Sequence, residues 1–115
     1  MRRPHGMTIL RFLLAAFFAF GGIMNIIAPG TIQDDYLRWG YPDWFHYLTG
    51  ALELTAAALL ISRYRLFGAI LGACVMTGAV STVIYNGEYS HAIAPFITLG
   101  VCLLVAAFNR TARLV

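Results

Sequence analysis

Four apolar runs, residues 7–28, 45–61, 66–86 and 92–108, alternate with short polar breaks along this chain. Each is near the ~20 residues that a helix needs to cross a ~30 Å hydrocarbon core, the second and fourth being short. Pro29-Gly30 ends the first run. Arg63-Tyr64-Arg65 leaves room only for a tight turn, so the second and third runs form an antiparallel hairpin. Residues 86–91 make another short turn, with Gly87 and Gly30 as turn residues. The 31–44 connection is longer and aromatic-rich. Its segment 31–39 predicts a short helix on the membrane surface, with Thr31 as N-cap, Asp34 and Asp35 in the first turn and Gly40 as the stop. Trp39, Tyr41, Trp44 and Tyr47 suit an interfacial aromatic belt. The pattern predicts an all-α integral membrane four-helix bundle with a short interfacial helix between spans one and two, as one domain over residues 1–115. The first run outlasts the 7–15 apolar residues of a secretory signal and no clear A-x-A site follows, so it reads as a retained span.

Composition agrees. The chain is 60% hydrophobic and 11% charged, against about 25% charged in a soluble domain. A soluble fold of 115 residues has too little interior to hide that apolar surface. Net charge is +3 and every basic residue is Arg. Arg2, Arg3, Arg11, Arg63, Arg65, Arg110 and Arg113 fall on one side of the runs, with Arg11 able to snorkel there. Arg38 falls on the other side with Asp34, Asp35, Asp43 and Glu88. That asymmetry predicts both termini in the cytoplasm. The arginines flank apolar spans, which favours lipid headgroups as their partners and excludes nucleic acid.

Ionisable groups inside a membrane span are costly and usually face the protein interior. Glu53 lies about eight residues into the second run, roughly 12 Å from its start. Its helical face reads His46, Thr49, Gly50, Glu53, Ala56, Ala57, a small and polar stripe. Matching stripes hold Gly21, Gly22 and Asn25 in the first run, Cys74, Thr77, Gly78, Ser81, Thr82 and Tyr85 in the third, and His91, Pro95, Thr98 and Cys102 in the fourth. Together they predict one polar interior near the outer side, bounded by Asn25, His46, Glu53, Ser81, Tyr85, His91 and Thr98. Glu53 there either binds a ligand or handles a proton, or it is a protonated acid tied to Asn25, Ser81 or Tyr85 that holds the helices in register. The ligand-binding candidates are Glu53, Asn25, His46, Tyr85, Ser81 and Thr49. Two His with Glu53 or Glu88 could in principle ligate a metal, but no ligand spacing supports this, and no metal is expected. Cys74 is nine residues after Arg65 and Cys102 eight before Arg110, so the two lie at similar depth and could meet. There is no CxxC and no disulfide framework. Gly68-x-x-x-Gly72 with Ala69-x-x-x-Ala73 is a close-packing face that serves either the bundle or a homo-oligomer.

The order of motifs carries a further implication. Gly21-Gly22-Ile23-Met24-Asn25 precedes Pro29, and Leu37-Arg38-Trp39-Gly40-Tyr41-Pro42 follows. Next come Tyr47-Leu48-Thr49-Gly50-Ala51-Leu52-Glu53-Leu54, the Arg-x-Arg turn and Gly68-Ala69. Over nearly its whole length the chain resembles the DoxX / DoxX-like family of small four-helix membrane proteins, most specifically in the G-x-x-E-L segment after a G-x-P loop. The resemblance implies a multi-pass protein of the bacterial cytoplasmic (inner) membrane. The family is named for a subunit of a thiosulfate:quinone oxidoreductase, and some relatives are linked to redox-stress complexes. It therefore implies a subunit that binds a quinone or a lipid-like ligand, or else a non-catalytic accessory subunit holding a membrane redox partner. Glu53 matches the family's span-two Glu. Asn25 stands where relatives often carry Lys or another polar residue, and being uncharged it removes one ion-pair partner that the resemblance allows for Glu53. No haem ligand pair, flavin motif or nucleotide fingerprint is present, so no cofactor is evident besides a quinone, and whether the chain turns anything over is left open.

The predicted topology has a direct readout. A fluorescent reporter that folds only in the cytoplasm should be bright when fused to either terminus and dark when inserted after Gly87. A bright insertion at Gly87 would contradict the orientation.

Overall fold

The computed structural model describes the backbone of residues 5–114 and the side chains of residues 6–109. Arg2, Arg3 and the side chains of Arg110 and Arg113, which carry much of the predicted charge asymmetry, lie outside the described residues. Five α-helices follow one another: α1 His5–Ile27, α2 Gly30–Arg38, α3 Phe45–Leu60, α4 Arg65–Tyr85 and α5 Ile93–Leu114, with a short 3-10 turn, Tyr89–Ala92, before α5. The described residues contain no strand. Three helical stretches are long and apolar enough to cross a membrane: Gly6–Ile27, Arg65–Tyr85 and Tyr89–Asn109. The predicted second span falls short. At 16 residues α3 extends only about 24 Å, held between Trp44 and the turn at residues 61–64.

The ends of the helices follow from local chemistry. Pro29 forces a break: Ala28 before it takes φ 49°, and the Pro29 carbonyl accepts the amides of Ile32 (2.8 Å) and Gln33 (3.2 Å) to start α2. Pro29, not the expected Thr31, is therefore the N-cap, because its carbonyl already serves the donors that a Thr31 hydroxyl would have met. For the same reason Gly30 opens a helix and does not form the turn. Gly40 (φ 86°) and Gly87 (φ 74°) end α2 and α4. In both, the amide after the glycine reaches back five residues, Tyr41 to the Tyr36 carbonyl at 3.0 Å and Glu88 to the Val83 carbonyl at 2.8 Å. These are Schellman caps, and only a glycine adopts their left-handed geometry without strain.

The four long helices pack as a ring: α1 against α3, α3 against α4, α4 against α5, and α5 back on α1. Phe18, Leu60, Ala69, Cys102 and Val105 fill the middle. The outer surface is apolar, with Phe20 67%, Ile27 66% and Phe96 64% exposed. Water would penalise such a surface, and lipid would not.

Glycines set the closest approaches. A Cβ on Gly50 would lie 2.8 Å from the Gly22 carbonyl oxygen, and one on Gly22 would lie 2.9 Å from the Gly50 oxygen. A Cβ on Gly68 would meet the Leu60 amide nitrogen at 2.7 Å, and one on Gly72 the Phe18 ring at 2.7 Å. The Gly68/Gly72 face is thus buried inside the ring. It is not available for the homo-oligomer contact that the sequence left open. Arg11 is also turned inward, not snorkelling: it is buried, and its Nη1 donates to the Leu60 carbonyl at the end of α3. That carbonyl lacks an intrahelical partner and sits at the negative end of the helix dipole, so a cation suits it.

Glycine substitutions should separate the close contacts from open positions. Gly50→Ala should destabilise by about 1–3 kcal/mol through overpacking. Gly78→Ala, where a Cβ meets nothing within 4 Å, should be neutral or stabilise by up to about 1 kcal/mol through helix propensity. Thermal unfolding in mild detergent would measure both, and equal melting temperatures would contradict the packing at Gly50.

Candidate functional site

The polar side chains gather at the end of the ring that carries α2. Glu53 on α3 faces α1 at Gly21, where a Cβ would lie 2.8 Å from Glu53 Oε2. The missing side chain makes room for the carboxyl. One turn further along α1, Asn25 Nδ2 donates to Glu53 Oε1 at 2.6 Å and to the Gly21 carbonyl at 3.0 Å. Asn25 Oδ1 accepts the Tyr36 hydroxyl at 2.8 Å. Both amide hydrogens and the amide oxygen are engaged, so the partners fix which way the amide points. The Asn25 backbone carbonyl lies in the last turn of α1 and lacks a helical partner. His46 Nδ1 donates to it at 2.7 Å, which requires the proton on Nδ1. Asn25 therefore joins three helices: its own, α2 through Tyr36, and α3 through Glu53 and His46. Burial pushes the Tyr36 phenol above its usual range, so it serves as a donor.

Beside this network lies a cavity of about 480 Å³, within the ~300–1,000 Å³ of small-molecule sites. Asn25, Tyr36, Thr49 and Glu53 line its polar side, and Leu52, Phe45, Val75, Met76, Ala79 and Val83 its apolar side. α2 roofs it with Ile32, Asp35, Tyr36 and Trp39. A second cavity of about 400 Å³ lies on the other side of Tyr36 and Tyr41, against Gln33, Asp43, Trp44, His46 and Tyr47.

α2 is fastened across the opening. Arg38 Nε and Nη2 donate to Glu88 Oε2 and Oε1 at 3.0 and 2.8 Å. Trp39 Nε1 donates to Glu88 Oε2 at 3.0 Å, and the Tyr41 and Thr82 hydroxyls share a 2.5 Å bond. The two Schellman caps bring these residues together, since each glycine turns the chain back toward the other.

Of the six candidates from sequence, Asn25, Thr49 and Glu53 line the larger cavity, and His46 lines the smaller one and is bonded to Asn25. Ser81 and Tyr85 are not brought in: both are exposed, Tyr85 by 90%. The cavity face of α4 is the row Cys74, Gly78, Thr82 with Val75 and Ala79, whereas Ser81 and Tyr85 form a row displaced by about 100°. His91 is exposed beside Glu88, and Thr98 donates to its own helix at Ala94, so neither joins the polar interior. Cys74 is exposed along the cavity, while Cys102 is buried against Gly72, and the described residues contain no disulfide. The described residues contain no group of three or more His, Cys, Asp or Glu able to hold a metal. Tyr36 is not among the candidates from sequence, and Glu88 enters there only as a conceivable metal ligand. The 32, 35, 36, 39 spacing on one face of α2 signals Tyr36; nothing local signals Glu88.

The fastening of α2 should depend on pH. Hydrogen bonds from Arg38, aided by Trp39, hold the Glu88 carboxyl at about 2, below its ordinary 4.5. A depressed acid contributes fully above its ordinary value, and the contribution is lost as pH falls through the folded value. In a Trp44→Phe background, acrylamide quenching of Trp39 should rise as pH falls from about 5 to about 2. Glu88→Gln should quench easily at every pH. A flat profile in the protein with Glu88 intact would contradict the latch.

The comparisons with known proteins follow this geometry. Residues 9–107 match the DoxX-like family. An uncharacterised Bacillus subtilis (strain 168) protein, YdgD, is 28% identical over 103 residues, covering 85% of this chain and 89% of its own length. No solved structure matches. With the family match running from early α1 into late α5, across Asn25, Glu53 and the α2 roof, this chain belongs to the DoxX-like family.

Proposed function

We propose that this protein is an amphiphile-binding membrane protein, with a quinone-like or lipid-like molecule held in the larger cavity as part of a membrane oxidoreductase system. In this reading the four long helices cross the bacterial cytoplasmic membrane as a bundle with both termini inside, and α2 lies on the outer surface. α3 is short for a span, and the aromatic and polar cluster under α2 makes up the difference at that end. The observation that carries the reading is the convergence of a carboxyl, an amide and a phenol on one wall of a largely apolar cavity. A few convergent polar groups in an apolar cleft orient a ligand that is otherwise held by its apolar surface. Glu53 provides the ligand's hydrogen bond or exchanges a proton with it, Asn25 and Tyr36 hold the Glu53 carboxyl in place, and Thr49 offers a further hydroxyl. His46 supports Asn25 from behind.

The test is mass spectrometry of the small molecules that leave the membrane with the tagged protein in mild detergent. Glu53→Gln keeps the shape and can still accept from Asn25. It should lower ligand recovery about tenfold, the scale of one good buried hydrogen bond, with little change in melting temperature. Equal recovery from both proteins would contradict a binding role for Glu53.

A further inference from the structure

We propose that the ligand is an uncharged, single-tailed amphiphile that enters the cavity sideways from the bilayer, through a cleft between α3 and α4 at Gly78, where its tail remains. This rests on the binding role proposed above and adds the ligand's charge class and route.

The hairpin of α3 and α4 is closed at its turn and open at its far end. Near the turn, Gly68 brings the helices into backbone contact, its absent Cβ standing 2.7 Å from the Leu60 amide nitrogen and 3.0 Å from the Ala56 carbonyl oxygen. Farther along, Leu52 on α3 and Cys74, Val75 and Gly78 on α4 line the cavity. Cys74 and Gly78 line it and are also exposed on the side of the molecule, so the cavity reaches the lateral surface there. A Cβ on Gly78 meets nothing within 4 Å, although glycine is a poor helix former. No contact among the described residues accounts for a glycine at this place, whereas a passage does.

The route from the α2 side is obstructed. Arg38 and Trp39 are bonded to Glu88, and Tyr41 to Thr82. The lateral cleft has no such bond across it among the described residues.

The headgroup end sets the charge class. Glu53 and Asp35 line the cavity and, among the described residues, no Arg, Lys or His does. Glu53 Oε1 accepts from Asn25, and Oε2 accepts no hydrogen bond among the described residues. Asp35 is already paired with Arg38 at 2.9 Å, so an anionic headgroup would face the Glu53 carboxyl with no cation left over from that pair, while an uncharged headgroup that hydrogen-bonds Glu53 fits.

Trp39 lines the cavity, and in a Trp44→Phe background it is the chain's single tryptophan. The experiment follows quenching of its fluorescence by a decyl-tailed benzoquinone added to the protein in phosphatidylcholine vesicles. Quenching should be saturable. Gly78→Phe should slow it at least tenfold. Gly100→Phe, which adds the same ring at another exposed position with open space, should leave it unchanged. Oleate, tailed but anionic, should not displace the quinone. Quenching that survives Gly78→Phe overturns the side entrance while leaving the binding role intact. Displacement by oleate overturns the charge class. Absence of saturable quenching overturns this proposal and the binding role together.

Discussion

A carboxyl placed midway along an apolar helix has to be satisfied by its own chain, because neither lipid nor a packed interior will solvate it. Glu53 meets this demand through Asn25, and the consequences spread outward. The bond requires α1 and α3 to lie close, which Gly22 and Gly50 permit by letting the two backbones touch, and Gly21 leaves the pocket in which the carboxyl sits. Asn25 must hold its amide in one orientation, which draws in Tyr36 and so places α2 over the end of the ring. His46 completes the set by serving the Asn25 carbonyl that the end of α1 leaves open. The network uses most of its bonding capacity on itself, and Glu53, whose Oε2 accepts no hydrogen bond among the described residues, lines the cavity.

Much of this was legible in the chain, and where it was not the reason is physical. Helix positions are readable because long apolar runs end at Pro29, at the Arg63 to Arg65 turn and at two glycines that permit left-handed caps. Glu53 and Asn25 are readable as partners because both lie near the same end on small, polar faces of neighbouring spans. Ser81 and Tyr85 misled, since a polar stripe read by composition merges two adjacent rows of α4, and only packing shows which row faces in. Arg11 reads from sequence as snorkelling to the cytoplasmic side because the open carbonyl it caps belongs to another helix. Glu88 was unreadable as part of the site: its partner Arg38 is 50 residues away, and the meeting depends on two separate chain reversals.

The two ends of the molecule thus do different work. At the Arg11 end, glycine contacts and a capped helix terminus give a tight, dry packing. At the α2 end the helices part, polar groups line one wall, and a short helix is pinned over the gap by side chains alone. Local stability should therefore be uneven, with α2 the segment that opens at least cost. The chain's family, DoxX-like, is compatible with a small membrane protein of this design.

The most direct test of the central claim is a crystal structure of the protein grown in a lipid phase, with the native small molecules left in place. The account predicts elongated density in the cavity, its polar end within hydrogen-bonding distance of Glu53 and its tail leaving between α3 and α4 beside Gly78. A cavity closed by α3 and α4 side chains, with Glu53 fully satisfied by this chain, would contradict it and leave the Asn25–Glu53 bond as scaffold alone.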